Sequence, residues 1–249
     1  MALDRLISTE AAIIGSVRNL IAERPTRDLH GGPAFARGFV NRDHLEGRRV
    51  LDIGCGFGWF ELVALDRGAQ AVTGIEPTAD DLATAIQHLD GRVDLQVASA
   101  LDLPFSDAAF DTVVCWEVLE HLPAGSEPQT VSEIARVLAP GGALYLSTPS
   151  ADLRSRVTDP AWWLTGHRHY TSQRLRELAE GAGLVVERLI SKGAWWQIVA
   201  MMDLYVAKWI FHRRPFIEDR INRRVDREWG WGADGGFTNL YLHAWKPGV

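Results

Sequence analysis

From residue 48 the chain alternates short, densely apolar runs with longer stretches whose apolar residues recur at a helical period. The short runs are Arg49–Ile53, Ala71–Glu76, Val93–Ala98, Phe110–Cys115, Gly142–Thr148, Leu184–Ile190 and Leu240–Trp245. They are rich in β-branched residues and predict buried strands. Trp59–Asp66, Ala79–Leu89, Gln129–Val137 and Ser172–Glu180 predict helices, the last capped by Thr171 or Ser172. Upstream, Thr9–Glu23 sets Ala12, Ile13, Val17, Leu20 and Ile21 at helical spacing and stops before Pro25. Arg24–Gly32 reads as a loop through Pro25, Gly31 and Gly32.

Apolar strands spaced by amphipathic helices pack as a mainly parallel sheet covered on both faces. Such sheets bind ligands beyond the carboxyl ends of their strands, near the point where strand order reverses. The expected organisation is an N-terminal helical lid segment over 1–47, a sheet core over 48–190, and a Trp-rich helical insertion with the last strand over 191–249, completing the same domain. Ala194–Phe211 is strongly apolar, but Asp203 and Lys208 interrupt it. A spanning helix needs about 20 predominantly apolar residues, which this stretch does not offer. Arg213, Arg214, Arg220, Arg223, Arg224 and Arg227 follow closely, a pattern that suits a membrane interface, a lid over the site, or a homodimer face. The packing roles are favoured.

At 249 residues the chain has room for one sizeable α/β domain with an appended lid. Its net charge of −6 argues against a broadly basic nucleic-acid surface. Two cysteines, Cys55 and Cys115, do not make a disulfide framework, and they suit a reducing cytoplasmic compartment. The stretch MALDRLISTE lacks the basic-then-apolar layout of a secretory signal.

Candidate chemistry begins at Gly54, Gly56 and Gly58, directly after the first strand. Glycine lets the backbone turn sharply and approach a ligand, and the following helix offers free N–H groups. The spacing is G-x-G-x-G, and Trp59 stands where a dinucleotide fingerprint needs its last glycine, so a nicotinamide cofactor loses ground. Glu76, ending the second strand, is placed to accept both ribose hydroxyls of a nucleoside.

The stretches VLDIGCGFG, GIEP, LPFSDAAFDTVVCWEVLEHL and LAPGGALYLSTP, in that order, resemble the motifs of class I S-adenosylmethionine-dependent methyltransferases over roughly Arg48 to Leu189. That resemblance implies a Rossmann-like, doubly wound, seven-stranded sheet with an antiparallel last strand. It implies S-adenosylmethionine as cofactor and S-adenosylhomocysteine as product. By it, Gly54, Cys55, Gly56 and Gly58 hold the methionine part, with Asp52 near its amino group. Glu76 binds the ribose and Pro77 flanks the adenine. Ser99, in Ala98-Ser99-Ala100 where the family commonly has Gly-Asp-Ala, meets the adenine amino group without a charge. Ala100 and Leu101 lie along the adenine, and Cys115 and Trp116 close the methionine end. Leu101, Pro104 and Phe105 also read as core and turn residues, and Asp107 and Asp111 as turn and strand-start residues.

The acceptor is read from two segments. Glu117 and His121 share a face if Glu117–His121 turns helically, and His121 is the first candidate base. This stretch resembles the ubiquinone-pathway O-methyltransferases, which implies Glu117, Glu120 and His121 as a divalent-metal set. A metal is allowed but not expected. In Trp162–Tyr170, His167, His169 and Tyr170 are candidates to orient or deprotonate an acceptor, with the Trp pair stacking on a ring. Packing of the loop on the sheet is the equal alternative. Arg154, Arg156 and Arg168 would suit an anionic acceptor.

The expected function is O-methylation of a small molecule or glycan, with no nucleic-acid partner. A lipid-linked substrate at a peripheral membrane surface is a further option. An N- or C-methyltransferase acting on a small metabolite, or a non-catalytic cofactor-binding scaffold, are the alternatives.

Overall fold

The apolar runs pair into one seven-stranded sheet in the computed structural model, which describes residues 23–89, 91–233 and 235–248. All of the helix expected over Thr9–Glu23 except its last residue lies outside the described residues. The strands are β1 (Arg49–Ile53), β2 (Ala71–Glu76), β3 (Val93–Val97), β4 (Phe110–Trp116), β5 (Leu138–Pro149), β6 (Val185–Lys192) and β7 (Asn239–Trp245). Their order is β3-β2-β1-β4-β5-β7-β6, with β7 antiparallel to both neighbours and the other pairings parallel. Strand order reverses between β1 and β4, so the cleft at their carboxyl ends is the natural ligand position.

Around the sheet lie α1 (Gly31–Phe39), α2 (Trp59–Asp66), α3 (Ala79–His88), α4 (Glu127–Val137), α5 (Leu153–Thr158), α6 (Pro160–Thr165), α7 (Ser172–Gly181), α8 (Trp195–Tyr205) and α9 (Glu218–Trp229). Thr171, one of the two expected caps, accepts the Arg174 N–H at 3.1 Å and starts α7. Arg49 and Asp111 form a two-point pair that ties the starts of β1 and β4 together. Asp111 is thus a strand-start residue, as one reading of it holds.

Two stretches depart from the expected layout by being helical. The chain over 24–32 was expected to be loop, yet α1 begins at Gly31, whose N–H donates to Asp226 Oδ1 at 2.9 Å. Its anchor therefore comes from α9, far along the chain. The region between β5 and α7 winds into α5 and α6, capped by Asp152 and Asp159. In the helical insertion, as expected of it, Arg220, Arg223, Arg224 and Arg227 lie on the amphipathic helix α9, which buries Ile221, Val225 and Trp229.

That burial makes α9 a structural layer. Trp229 packs on Phe35 of α1 and Tyr241 of β7, with ring centroids 6.0 and 5.7 Å away, and donates to Gln197 of α8. Beyond α8 the chain continues as a π-helical turn, Val206–Ile210, where Trp209, Ile210 and Phe211 are exposed. Among the described residues no helix is long and apolar enough to cross a membrane.

Replacing Trp229 with Ala should remove the centre of this layer and destabilise the chain by about 3–5 kcal/mol, the usual cost of truncating a buried aromatic. Chemical denaturation would check it.

Candidate active site

The turn after β1 is shaped by what lies opposite it. Gly54 has φ +75°, and a Cβ there would stand 2.4 Å from Val118 Cγ2, so only glycine lets the two strand-end turns close on each other. Gly56, at φ +53°, differs: a Cβ there would meet nothing within 4 Å, so the loop crest faces open space. The Gly56 N–H donates to Glu76 Oε1 at 2.6 Å, joining the loop to the end of β2. Burial raises the Glu76 carboxyl to about 7, partly offset by that hydrogen bond.

Behind the loop, Asp52 and Glu61 are buried together. Asp52 Oδ1 and both Glu61 oxygens have no hydrogen-bond partner among the described residues. Gly74 makes room for them, since a Cβ there would stand 2.7 Å from Glu61 Oε1. Burial, reinforced by the neighbouring carboxyls, raises Asp52 well above the usual carboxylate range, and burial raises Glu61 to about 8. Asp52 and Cys55 therefore lie beneath the loop rather than on its open side. Cys115 and Trp116 are buried at the end of β4, and Trp116 packs on Phe60 and Tyr241. Pro77 and Ser99 are exposed at the ends of β2 and β3, while Ala100 and Leu101 are half-buried beside them. Ser99 Oγ accepts the Leu101 N–H at 3.1 Å.

The turn after β4 begins at Glu117, which holds φ +54°, an uncommon conformation for a residue with a side chain. Such strain tends to collect at functional positions. Glu117 Oε2 accepts from Asn239 Nδ2 at 2.8 Å. Leu119–His121 form one 3₁₀ turn. Glu120 is buried; its Oε2 accepts from Thr148 Oγ1 at 2.9 Å, and its Oε1 has no partner among the described residues.

His121 and His167 lie with ring centroids 4.7 Å apart, so the structure joins the two segments that carried acceptor chemistry. Desolvation of the ring, with His167 and Arg168 nearby, holds His121 at about 4, so it is neutral at pH 7. Asp159 Oδ2 sits 3.0 Å from His167 Nδ1 and 3.4 Å from His169 Nε2. Burial works against the Asp159 charge, but His167 outweighs it and keeps the carboxyl below its ordinary value. His167 Nε2 has no partner and lies 3.9 Å from Glu120 Oε1. Donor atoms of Glu120, His121 and His167 all fall within 4.8 Å of one another.

Tyr170 does not join this cluster. Its buried hydroxyl stands 3.0 Å from both the Leu119 carbonyl and Glu127 Oε1, so it braces the turn from below. Arg168 does the same through the Leu119 carbonyl and an ion pair with Glu127, and Arg154 is paired with Asp152. Two of the three arginines thought to suit an anionic acceptor are thus neutralised within the fold. Glu61, Asp159 and Asn239 carry no motif of their own. Only the Asp159-Pro160 pair, a helix-start pattern, marks one of them in advance.

Residues 28–189 match the family described as "Methyltransferase domain". A ubiquinone biosynthesis O-methyltransferase of Idiomarina loihiensis is 37% identical over 147 residues, covering 56% of this chain and 56% of that protein. A probable S-adenosylmethionine-dependent methyltransferase of Mycolicibacterium smegmatis is 37% identical over 142 residues, covering 57% of this chain and 53% of that one. The chain's matched part thus spans a little over half the length of these relatives. Among solved structures, the [4+2]-cyclase SpnF superposes with a TM-score of 0.67 at 23% identity, covering 97% of this chain and 95% of its own. A geranyl diphosphate C-methyltransferase of Streptomyces coelicolor A3(2), solved with Mg2+, geranyl diphosphate and S-adenosyl-L-homocysteine, superposes with a TM-score of 0.60 at 19% identity, covering 86% and 78%. Both share the fold, and the two proteins are named for different chemistries.

The buried Asp52–Glu61 pair makes stability fall with pH. A carboxyl whose folded pKa is raised favours the fold below its unfolded value of about 4.3, and that contribution is lost as pH climbs to the folded value. Glu61→Gln should remove a slope of about 1.4 kcal/mol per pH unit between pH 5 and 8. Melting temperatures across that range should show the variant gaining on the parent as pH rises.

Proposed function

The chain belongs to the methyltransferase-domain family, and from that premise we propose that it transfers a methyl group from S-adenosylmethionine to a hydroxyl of a small molecule or glycan. One observation carries the reading: the open glycine loop with Glu76, and the Glu120–His121–His167 cluster, stand at the carboxyl ends of adjacent strands. Donor and acceptor sites are thereby neighbours, joined where Val118 meets Gly54. The relatives named O-methyltransferases support a hydroxyl as acceptor.

In this reading the crest at Gly56 and Gly58 receives the methionine part, and Glu76 accepts the ribose hydroxyls. Pro77, Ser99, Ala100 and Leu101 line the adenine. The acceptor oxygen attacks the methyl carbon; the C–O bond forms as the C–S⁺ bond breaks, and the hydroxyl proton leaves for His121 or water. The sulfonium is already activated, so alignment and water exclusion are the main tasks of the protein. A neutral His121 imidazole can accept the hydroxyl's hydrogen bond. His167, fixed by Asp159, packs beside His121; Asp159 also lies 3.4 Å from His169 Nε2, and Tyr170 braces the segment from behind.

Mass spectrometry after incubation with methyl-labelled cofactor and a panel of hydroxyl, amine and carbon acceptors tests the reaction. A labelled ether product is expected, and His121→Ala should lower kcat by about 10²–10⁴. Label found only on nitrogen or carbon would replace this reading. Tight cofactor binding without transfer to any acceptor would favour a non-catalytic binding protein.

Cofactor affinity should also depend on pH through Glu76. Its free-protein value of about 7 means that the accepting carboxylate is lost on acidification. Calorimetry with S-adenosylhomocysteine should show affinity falling toward tenfold per pH unit below 7. Glu76→Gln should bind weakly with little pH dependence.

A further inference from the structure

The resemblance to ubiquinone-pathway enzymes implies Glu117, Glu120 and His121 as metal ligands, but the tightest donor set among the described residues is a different trio. Glu117 has a left-handed backbone, and one of its carboxylate oxygens accepts from Asn239 at 2.8 Å while it stays beside Glu120. The donors that converge are Glu120, His121 and His167, the last supplied by the segment after α6. We propose that these three side chains form a site for one divalent transition-metal ion, with His167 in the place of Glu117 and Asp159 as the group that fixes His167.

Four observations carry this. Glu120 is 4% exposed, and one of its carboxylate oxygens has no partner among the described residues. Leaving a buried carboxylate oxygen unpaired is costly, and a cation in front of it removes the cost. His167 Nε2 is likewise unpartnered, and the Asp159 carboxylate at Nδ1 calls for the proton there, leaving the Nε2 lone pair free. A carboxylate behind a histidine is the usual support of a metal-ligating imidazole. Finally, the 3.9 Å between His167 Nε2 and Glu120 Oε1 is too long for a hydrogen bond. Ligands about 2.0–2.2 Å from a tetrahedral ion stand roughly 3.4 Å apart, so a small inward shift would let both reach one ion.

Two imidazoles and one carboxylate select zinc, iron, cobalt or manganese over magnesium and calcium, which prefer oxygen. Three protein ligands also leave positions open beside the methyl donor. A divalent ion there would lower the pKa of an acceptor hydroxyl, whose proton would then leave for water with His121 as a ligand instead of the base, and this role rests on the O-methylation reading. The binding site itself does not.

The test uses the full chain, stripped with chelator and titrated with Zn2+ by calorimetry and with Co2+ by visible absorption. One ion per chain is expected, with the cobalt band of a nitrogen-containing, low-coordinate site. His167→Ala and Glu120→Gln should each weaken Zn2+ binding by about 100-fold or more, and Asp159→Asn by about 10–100-fold. Glu117→Gln should weaken binding by less than about 10-fold, a neighbour's effect and not a ligand's. Circular dichroism and S-adenosylhomocysteine binding would verify that each variant is folded. No stoichiometric ion in the parent, or binding that survives His167→Ala but fails in Glu117→Gln, overturns the proposal. Since the readouts are stoichiometry and spectrum, those results leave the methyl-transfer reading standing. Failure of transfer by an ion-loaded chain would count against that reading alone.

Discussion

The close approach of Val118 to Gly54 is the constraint on which the rest of the site depends. β1 and β4 are hydrogen-bonded neighbours at the reversal of strand order, so the turns that leave them would ordinarily splay to either side of the cleft. Glycine at 54 removes the side chain that would hold them apart. The loop that faces open space at Gly56 and the turn that carries Glu120 and His121 then share one wall. Methyl transfer in general needs close alignment and exclusion of water, and two strand-end turns in contact suit that need.

Bringing the strand ends together also crowds acids. Asp52, Glu61 and Glu76 act on one another across the β1–β2 side, and Glu117 and Glu120 do so after β4. A buried carboxylate is tolerated only with a hydrogen bond, a proton or a cation. Glu76 takes the Gly56 N–H, while Glu117 takes Asn239 and Glu120 takes Thr148, each with one oxygen only. Asp52 and Glu61 are left with raised pKa values beneath the loop. Buried carboxyl oxygens without a partner among the described residues thus lie on both sides of the Gly54–Val118 contact.

The sheet was legible because its strands are local apolar runs with turn signals between them. The glycine loop and Glu76 stood out because the loop directly follows β1 and Glu76 ends β2. The start of α1 was not, since Gly31 owes its place to Asp226, and neither residue carries a pattern that points to the other. The acceptor side was half legible. His121 and His167 both stood out, but their contact depends on how β5, α5 and α6 return the chain to β4, which no spacing encodes. Asp159 reads as a helix cap, and it is one, yet its second oxygen does the work of fixing His167. A residue with two partners shows only the nearer one in sequence.

The Trp-rich C-terminal third follows from the same economy. β7 enters antiparallel between β5 and β6, so the chain must leave the sheet after β6 and come back from its far end. The connecting helices have to cover the face they cross. α8 and α9 do so with Trp196 and Trp229, and the Glu228 carboxylate accepts the N–H groups of Trp196 and Gln197 at the start of α8. α9 in turn anchors α1 through Asp226. Asn239, which donates to Glu117 Oε2, is the first residue of β7. The insertion thus reaches the site through the strand it delivers: where β7 begins sets which carboxylate of the β4 turn accepts from Asn239.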